Sequence, residues 1–221
     1  MAELFREAAD RAKEENRTYL MEHEGKAVLE SLGISTTGAE VARSEEEAVR
    51  IAESIGRPVV LKVVSPEVVH KSDVGGVKLD LKGAQEVRKA FRDIVNAFPD
   101  KEVVGVAVQE MAPPGTEAIV GVARDPTFGP ILMFGLGGIF VEILQDVSLR
   151  SIPISESDAE EMIAGIKGHA LLEGYRGRSA DIPALKRLLL QISDLVVEHP
   201  EISEMDLNPV FLYPEIGRAH V

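Results

Sequence analysis

RPVVLKVVSPEVVHKSDVGGVKLDL, residues 57–81, holds two apolar runs on either side of a polar loop. β-Branched residues fill the first run and apolar residues alternate in the second, which predicts two strands joined by a turn. The loop contains His70 and the pair Gly75 and Gly76, whose bare backbone suits close approach to an anion. With Lys62 inside the first strand, the stretch predicts a phosphate-binding site, and an ordinary polar turn is the alternative.

Lys62 lies among valines and a leucine, where a cation needs an explanation. One explanation is an edge-strand lysine whose ammonium reaches water. The other is a point charge aimed into a cleft, where it neutralises phosphate oxygens. The loop that follows does not match the P-loop pattern, so a P-loop nucleoside triphosphatase is not indicated.

Composition limits the possible partners. The chain has 221 residues, which suit one large domain or two closely joined subdomains. Its net charge of −13 argues against nucleic acid or an anionic membrane as the main partner. It has no cysteine, no apolar run of membrane-spanning length and a charged N-terminus unlike a signal peptide. We therefore expect a cytoplasmic protein.

Helix and strand patterns follow each other irregularly along the chain. Helices are predicted at 3–32, 45–55, 83–97, 156–167 and 182–198, the second opening with a capping box at Ser44 and Glu47. Strands are predicted at 38–42, 59–64, 77–81, 103–108, 117–124, 130–134, 152–154 and 204–212. Tight turns join many neighbouring strands, so the sequence predicts an α+β fold with antiparallel sheets.

A second glycine cluster, which includes Gly137 and Gly138, directly follows a predicted strand. Its amides could surround an anion, and a tight turn is the alternative. Arg150 comes soon after and could pair with a phosphate, or else with a carboxylate at the surface.

Glu204, Asp206 and Asn208 alternate on the last predicted strand, so their side chains share one face. Two or three oxygen ligands on one face suit Mg²⁺, which completes its shell with phosphates and water. A solvent-facing strand is the alternative. Taken together, the lysine, the two glycine loops, the arginine and this strand predict an enzyme that binds Mg-nucleotide.

These residues, in this order, resemble the ATP-grasp fold, and more specifically the β subunit of ADP-forming acetate–CoA ligases, relatives of succinyl-CoA synthetase. The matching segments are LGI (32–34), PVVLK (58–62), HKSDVGGV (70–77), VQEM (108–111), EAIVGVARDPTFGP (117–130), FGLGGIFVE (134–142), Asp146 with Arg150, GYRG (174–177) and EMDLNP (204–209). The resemblance implies two α+β subdomains that clasp a nucleotide. Residues 1–109 would form the N-terminal helix and smaller subdomain, and residues 110–221 the larger subdomain with the metal-binding strand.

The resemblance also implies residue roles. Lys62 would contact the α- and β-phosphates of ATP or ADP, and Asp206 and Asn208 would bind Mg²⁺. His70 would relay the phosphoryl group, and Arg150 is the second catalytic candidate, which could pair with a γ-phosphate or inorganic phosphate. The remaining nucleotide contacts would be Gly75, Gly76, Gln109, Glu110, Met111, Glu117, Gly137 and Gly138. Glu110 and Met111 would form the hinge whose backbone meets the adenine, and Glu117 would lie near the ribose.

The reaction implied is reversible and converts acyl-CoA, ADP and phosphate to the acid, CoA and ATP. In such enzymes a separate α subunit carries the CoA-binding and phosphohistidine domains, so an α₂β₂ complex is expected. A further family strand, whose aspartate completes the metal site, would begin where this sequence ends. A stand-alone carboxylate–amine ligase and a non-catalytic nucleotide-sensing module are the alternative functions.

Overall fold

The computed structural model describes residues 2–68, 74–138, 145–174 and 179–214. The chain divides into two compact units, Met1–Ser31 with Thr37–Ala112 and Leu32–Thr36 with Pro113–Val221. Within the described residues, no helix combines the length and apolarity needed to cross a bilayer.

The first unit contains four helices and four strands among its described residues. The helices are α1 (Ala2–Glu14), α2 (Glu22–Ser31), α3 (Glu45–Ile55) and α4 (Ala84–Asn96). The strands are β1 (Glu40–Ala42), β2 (Val59–Val64), β3 (Val77–Leu81) and β4 (Gly105–Glu110). They form one sheet in the order β1-β4-β2-β3, and every pairing is antiparallel.

Helices α3 and α4 cover one face of this sheet. Leu61 and Val63 of β2 are fully buried in the same apolar cluster as Ile94 of α4. Side chains alternate along a strand, so Lys62 lies on the opposite face. The core therefore fixes the direction in which the lysine points.

The capping prediction for α3 is correct in one half. The Ser44 hydroxyl accepts a hydrogen bond from the Glu47 amide at 3.2 Å. The Glu47 carboxylate, however, accepts from the amide of Arg43 at 2.8 Å, one residue before the N-cap. Gly56 ends the helix in the left-handed conformation with φ of 67°, which costs glycine little.

The second unit begins its regular structure with a meander. Its strands are β5 (Thr116–Asp125), β6 (Gly129–Leu136), β7 (Val147–Ser151) and β8 (Glu204–Leu212), and its helices are α5 (Glu156–Gly165), α6 (His169–Leu172) and α7 (Ile182–Glu198). The strands form an antiparallel sheet in the order β7-β6-β5-β8. The α+β fold with antiparallel sheets is thereby confirmed.

One predicted strand is wrong. The sequence placed it at 152–154, whereas the structure has β7 at Val147–Ser151. Ile152 and Ile154 are both buried, and this alternation of apolar residues imitates a strand. The true strand lies at the edge of the sheet and reads VSLRS, a half-polar sequence with a weak signal.

Candidate functional site

Lys62 projects from the middle of β2 and is bound by a carboxylate from α2. Its Nζ lies 2.6 Å from Oε1 of Glu22, and the lysine side chain keeps 23% of its exposure. The register pairs Lys62 with Ala107 on β4, so that Gln109 shares the same face of the sheet. The cation predicted from the sequence therefore sits at the accessible side of a polar cluster.

A second lysine lies deeper in this cluster. Lys26 is buried, and its Nζ lies 2.7 Å from Oγ1 of Thr37 and 3.0 Å from Oε1 of Gln109. It also lies 3.4 Å from the same Glu22 oxygen that binds Lys62. We call Glu22, Lys26, Lys62 and Gln109 the Lys62 cluster.

Sequence reasoning selected Lys62 and Gln109 but missed the two residues from α2. Glu22 and Lys26 are four residues apart, the spacing at which an acid and a lysine meet on a helix. That spacing was the available signal. It is common on solvated helices, and so it did not indicate that the lysine is buried.

A buried ion pair fixes the start of α2. The guanidinium of Arg17 makes two hydrogen bonds to the carboxylate of Glu24, each 2.9 Å long. Glu24 also accepts from the Met21 amide at 2.7 Å. Burial alone would raise the pKa of Glu24, but the hydrogen bonds from Arg17 and Met21 outweigh it and the pKa is lowered. The ion pair thus places Glu22 and Lys26 over the sheet.

The predicted adenine hinge, Glu110 and Met111, lies at the end of β4. Oε1 of Glu110 lies 2.6 Å from Nη1 of Arg57, and the Met111 amide donates to the Pro58 carbonyl at 2.8 Å. The side chain of Glu110 and the amide of Met111 are therefore engaged within the first unit. A nucleotide contact from Met111 would use its carbonyl.

The segment between β2 and β3 is described at residues 65–68 and 74–76. Gly75 has φ of +77°, a conformation that residues with a Cβ rarely adopt. The Gly76 carbonyl accepts from the Val63 amide at 2.8 Å and closes the turn onto β2. His70, predicted as the phosphoryl relay, lies outside the described residues.

Two predicted nucleotide residues meet in the second unit. The amide of Gly137 donates to the carbonyl of Glu117 at 2.8 Å. A Cβ at position 137 would lie 3.0 Å from Cβ of Glu117, closer than an added side chain tolerates without movement. Gly138 follows with φ of +61°. The Glu117 side chain is exposed beside this turn.

Asp206 lies on the same face of the sheet as Glu117. It pairs with Gly121 of β5, and Glu117 is four residues along that strand. The pKa of Asp206 is raised, first because burial disfavours its charged form and then because Glu204 is close. The exposed Asn208 adds an amide oxygen two residues further on, next to an irregularity in the β5–β8 register.

This donor set fits a magnesium ion that is also held by a ligand. A cation beside Asp206 would relieve the cost that raises the pKa of that carboxyl. Across the described ranges, no group of three or more histidine or acidic side chains is arranged to hold a metal ion alone. Two protein oxygens with phosphates and water are what Mg²⁺ uses at nucleotide sites.

Arg150 does not share the face of Asp206. It pairs with Leu132 of β6, which is fully buried on the opposite face. Its guanidinium lies 3.0 Å from the carboxylate of Glu161 and 3.9 Å from that of Asp158, both on α5. The ion pair that the sequence allowed as the alternative is present.

Asp146, four residues before Arg150, is buried and receives the amides of Lys167 and Gly168, each at 2.7 Å. It therefore fastens the turn that leads into α6 to the start of β7. The acid is a structural link within the second unit.

Comparison with known proteins adds the family. A model described as an ATP-grasp domain matches residues 11–219. The β subunit of ADP-forming acetate–CoA ligase I from Pyrococcus furiosus is 50% identical over 219 residues, which cover 97% of this chain and 94% of that subunit. The ADP-forming acetate–CoA ligase I of Archaeoglobus fulgidus is 52% identical over 90% of the chain, which spans only 29% of that longer protein.

Solved structures of similar proteins have the same fold as this chain. An acetyl-coenzyme A synthetase 1 chain from Candidatus Korarchaeum cryptofilum, in complex with coenzyme A and Ca-AMPCP, is 51% identical with a TM-score of 0.93, covering 97% of this chain and 96% of that chain. Another structure of that synthetase, with Mg-AMPPCP, matches at 50% identity with a TM-score of 0.86 over the same shares. The chain therefore belongs to the ATP-grasp family, in the group of β subunits of ADP-forming acetate–CoA ligases.

Proposed function

We propose that this chain is the nucleotide-binding β subunit of an ADP-forming acyl-CoA synthetase of the acetate–CoA ligase type. With an α subunit that carries the CoA-binding and phosphohistidine domains, it converts acyl-CoA, ADP and phosphate to the free acid, CoA and ATP. An α₂β₂ assembly and a cytoplasmic location belong to the same proposal.

The observation that carries the proposal is the match to a β subunit over almost the full length of both chains. The longer Archaeoglobus ligase supports the need for a partner, because this chain corresponds to 29% of it. The Korarchaeum structure with Mg-AMPPCP is described with its phosphohistidine segment pointing towards the nucleotide-binding site. A phosphohistidine delivered to a nucleotide site is the chemistry that we assign to this chain and its partner.

The nucleotide contacts divide between the two units. Lys62 binds the phosphates as a point charge, and Asp206 with Asn208 holds Mg²⁺. The ion neutralises phosphate oxygens and leaves the protein to position the reacting groups. Further contacts in the proposal come from Gly75, Gly76, Gln109, Glu110 and Met111 of the first unit and from Glu117, Gly137 and Gly138 of the second.

The transfer has two steps: the first breaks the phosphorus–nitrogen bond of the phosphohistidine and forms one to His70, and the second breaks that bond and forms a phosphorus–oxygen bond to ADP. The phosphoryl group leaves the phosphohistidine of the α subunit, is received by the neutral imidazole of His70, and passes to a terminal phosphate oxygen of ADP. A catalytic contribution of Arg150 remains a prediction, and it requires the guanidinium to leave Glu161.

The test measures nucleotide binding and turnover separately. Titration calorimetry of the purified chain should detect the binding of Mg-ADP. The substitution Lys62→Met should weaken this binding by about tenfold or more, since it removes a charge-assisted contact. Lys82→Met is the matched control, because this lysine is exposed and paired with Asp80. Synthesis of ATP from acetyl-CoA should appear only when an α subunit is added.

Two results would refute the proposal. Acetyl-CoA turnover by the chain alone would remove the need for a partner. Release of ADP from ATP that depends on an added amine and carboxylate, without any partner, would instead favour the carboxylate–amine ligase.

A further inference from the structure

The ammonium expected to bind phosphate already has an anionic partner. Oε1 of Glu22 lies 2.6 Å from Nζ of Lys62, a short contact of the kind that charged partners make. The same oxygen lies 3.4 Å from Nζ of Lys26. One carboxylate is thus shared between two lysines.

The three charges differ in their access to solvent. The side chain of Lys26 is 6% exposed, while those of Glu22 and Lys62 are 26% and 23% exposed. Lys26 also has Thr37 and Gln109 as oxygen acceptors. An anion that arrives from solvent therefore meets Lys62 and Glu22 before it meets Lys26.

A phosphate and the Glu22 carboxylate have charges of the same sign. Two negative groups at one ammonium repel each other, and the repulsion is strong where burial weakens the screening by water. Two ammonium groups and one carboxylate leave the cluster with one positive charge, which a nucleotide phosphate can use only in competition with Glu22.

There is open space beside the carboxylate of Glu22. Glu22 lines a cavity of about 230 Å³ together with Met21, Val64 and Ala107. This space gives the Glu22 side chain room to change its rotamer. Lys26 lies one helical turn along α2, with its Nζ 3.4 Å from the same carboxylate oxygen that contacts Lys62.

We propose that Glu22 competes with nucleotide phosphate for Lys62, and that Lys26 retains the carboxylate once phosphate has displaced it. The inference rests on the proposed nucleotide role of Lys62. Its consequence is weaker binding and faster release of nucleotide. A reversible synthetase must release ATP in one direction and ADP in the other, so an internal competitor suits both.

The test is Glu22→Gln in the full chain, with Mg-ADP as the probe. Exposed ion pairs contribute little and charge-assisted bonds in partly buried places contribute more, so we expect Kd to fall about tenfold. The dissociation rate of a fluorescent ADP analogue should fall by a similar factor. Glu30→Gln is the matched control, because it removes an exposed carboxylate from the same helix and should leave both quantities unchanged.

A double-mutant cycle separates competition from a general change of charge. In the Lys62→Met background, Glu22→Gln should alter Kd less than about twofold, because the contested ammonium is gone. An equal gain in both backgrounds would overturn the proposal, since the effect would then be long-range electrostatics. Weaker binding by Glu22→Gln would overturn it as well, and would make Glu22 a residue that orients Lys62.

A thermal unfolding curve shows whether Glu22→Gln is folded. If it is not, a second variant, Glu22→Asp, keeps the proposal testable. Glu22→Asp keeps the charge but shortens the side chain, so the carboxylate should reach Lys62 poorly and Kd should fall severalfold. An unchanged Kd in a folded Glu22→Asp protein would count against competition. If the unmodified chain does not bind Mg-ADP at all, it is the proposed function that fails.

Discussion

Replacement of Glu24 by glutamine is the sharpest test of how this fold holds its site. The change removes the negative charge from a carboxylate that receives two hydrogen bonds from Arg17 and one from the Met21 amide. Both side chains of the pair are almost fully buried, with 5% and 7% exposed. The guanidinium would then keep only the half-exposed carboxylate of Glu15, 2.8 Å away, as its counter-charge.

The expected cost follows from this burial. Removal of one partner from a buried ion pair typically costs about 3–5 kcal/mol. We take the lower limit, about 3 kcal/mol, because glutamine can still accept a hydrogen bond and Glu15 remains paired with Arg17. For a chain of this size, such a loss lowers the midpoint of thermal unfolding by about 6–12 °C. Circular dichroism at pH 7 measures it. The matched control is Asp10→Asn, which breaks an exposed pair with Lys13 and should change the midpoint by about 1 °C or less.

The stabilisation by Glu24 should depend on pH in a defined direction. The pKa of Glu24 is lowered from its ordinary 4.5 in the folded protein. The ionised carboxylate therefore stabilises the fold fully above that unfolded-state value, and the contribution is lost as the pH falls through the lower folded-state pKa. The difference in the midpoint of thermal unfolding between the parent protein and Glu24→Gln should be constant near neutrality. It should shrink below pH 4.5.

The result that would refute this reasoning is a Glu24→Gln protein as stable as Asp10→Asn at pH 7. A double variant, Arg17→Met with Glu24→Leu, supplies a further check. It removes both charges and should recover much of the loss, because no charge is left buried without a partner.

The remaining predictions concern the second unit. Asp206→Asn should raise the Kd for ADP about tenfold or more in Mg²⁺ but change it little in EDTA; calorimetry measures both, and an equal change in Glu204→Gln would argue against a specific metal ligand. Gly135→Ala would place a Cβ 2.7 Å from the backbone oxygen of Asp146, so a loss of about 1–3 kcal/mol is expected in urea unfolding. At Gly165 in α5, an added Cβ would lie 3.9 Å from its nearest neighbour, Oγ of Ser148. Gly165→Ala should therefore be as stable as the parent protein or slightly more stable, and similar losses in both variants would contradict the packing argument.

Local patterns predicted most of the fold because they depend on neighbouring residues. Asp181 begins α7 as its N-cap, with its side chain accepting from the Ala184 amide, and β8 spans the predicted Glu204–Leu212. Ser155 and Asp158, three residues apart, form a complete capping box at the start of α5, which begins at the predicted residue 156. The family resemblance, which rests on many short motifs in order, is confirmed.

Contacts between distant segments could not be obtained in this way. Glu22 and Lys62 are 40 residues apart, and nothing in either segment indicates that they meet. The orientation of Arg150 depends on the register between β6 and β7, which an incorrectly placed strand at 152–154 hid. Alternation along one strand is readable from sequence, whereas the choice of partner strand is set by the tertiary fold.

Helix α2 contributes both to the buried ion pair of Arg17 and Glu24 and to the Lys62 cluster. Successive residues turn by about 100° around a helix, so Glu22 and Lys26 lie on nearly the same side, while Glu24 points about 200° away. One side of this ten-residue helix thus holds the buried ion pair, and the other side contributes to the Lys62 cluster. If Glu22 competes for Lys62 as proposed, we expect a substitution that shifts the Glu24 side of α2 to change nucleotide affinity together with thermal stability.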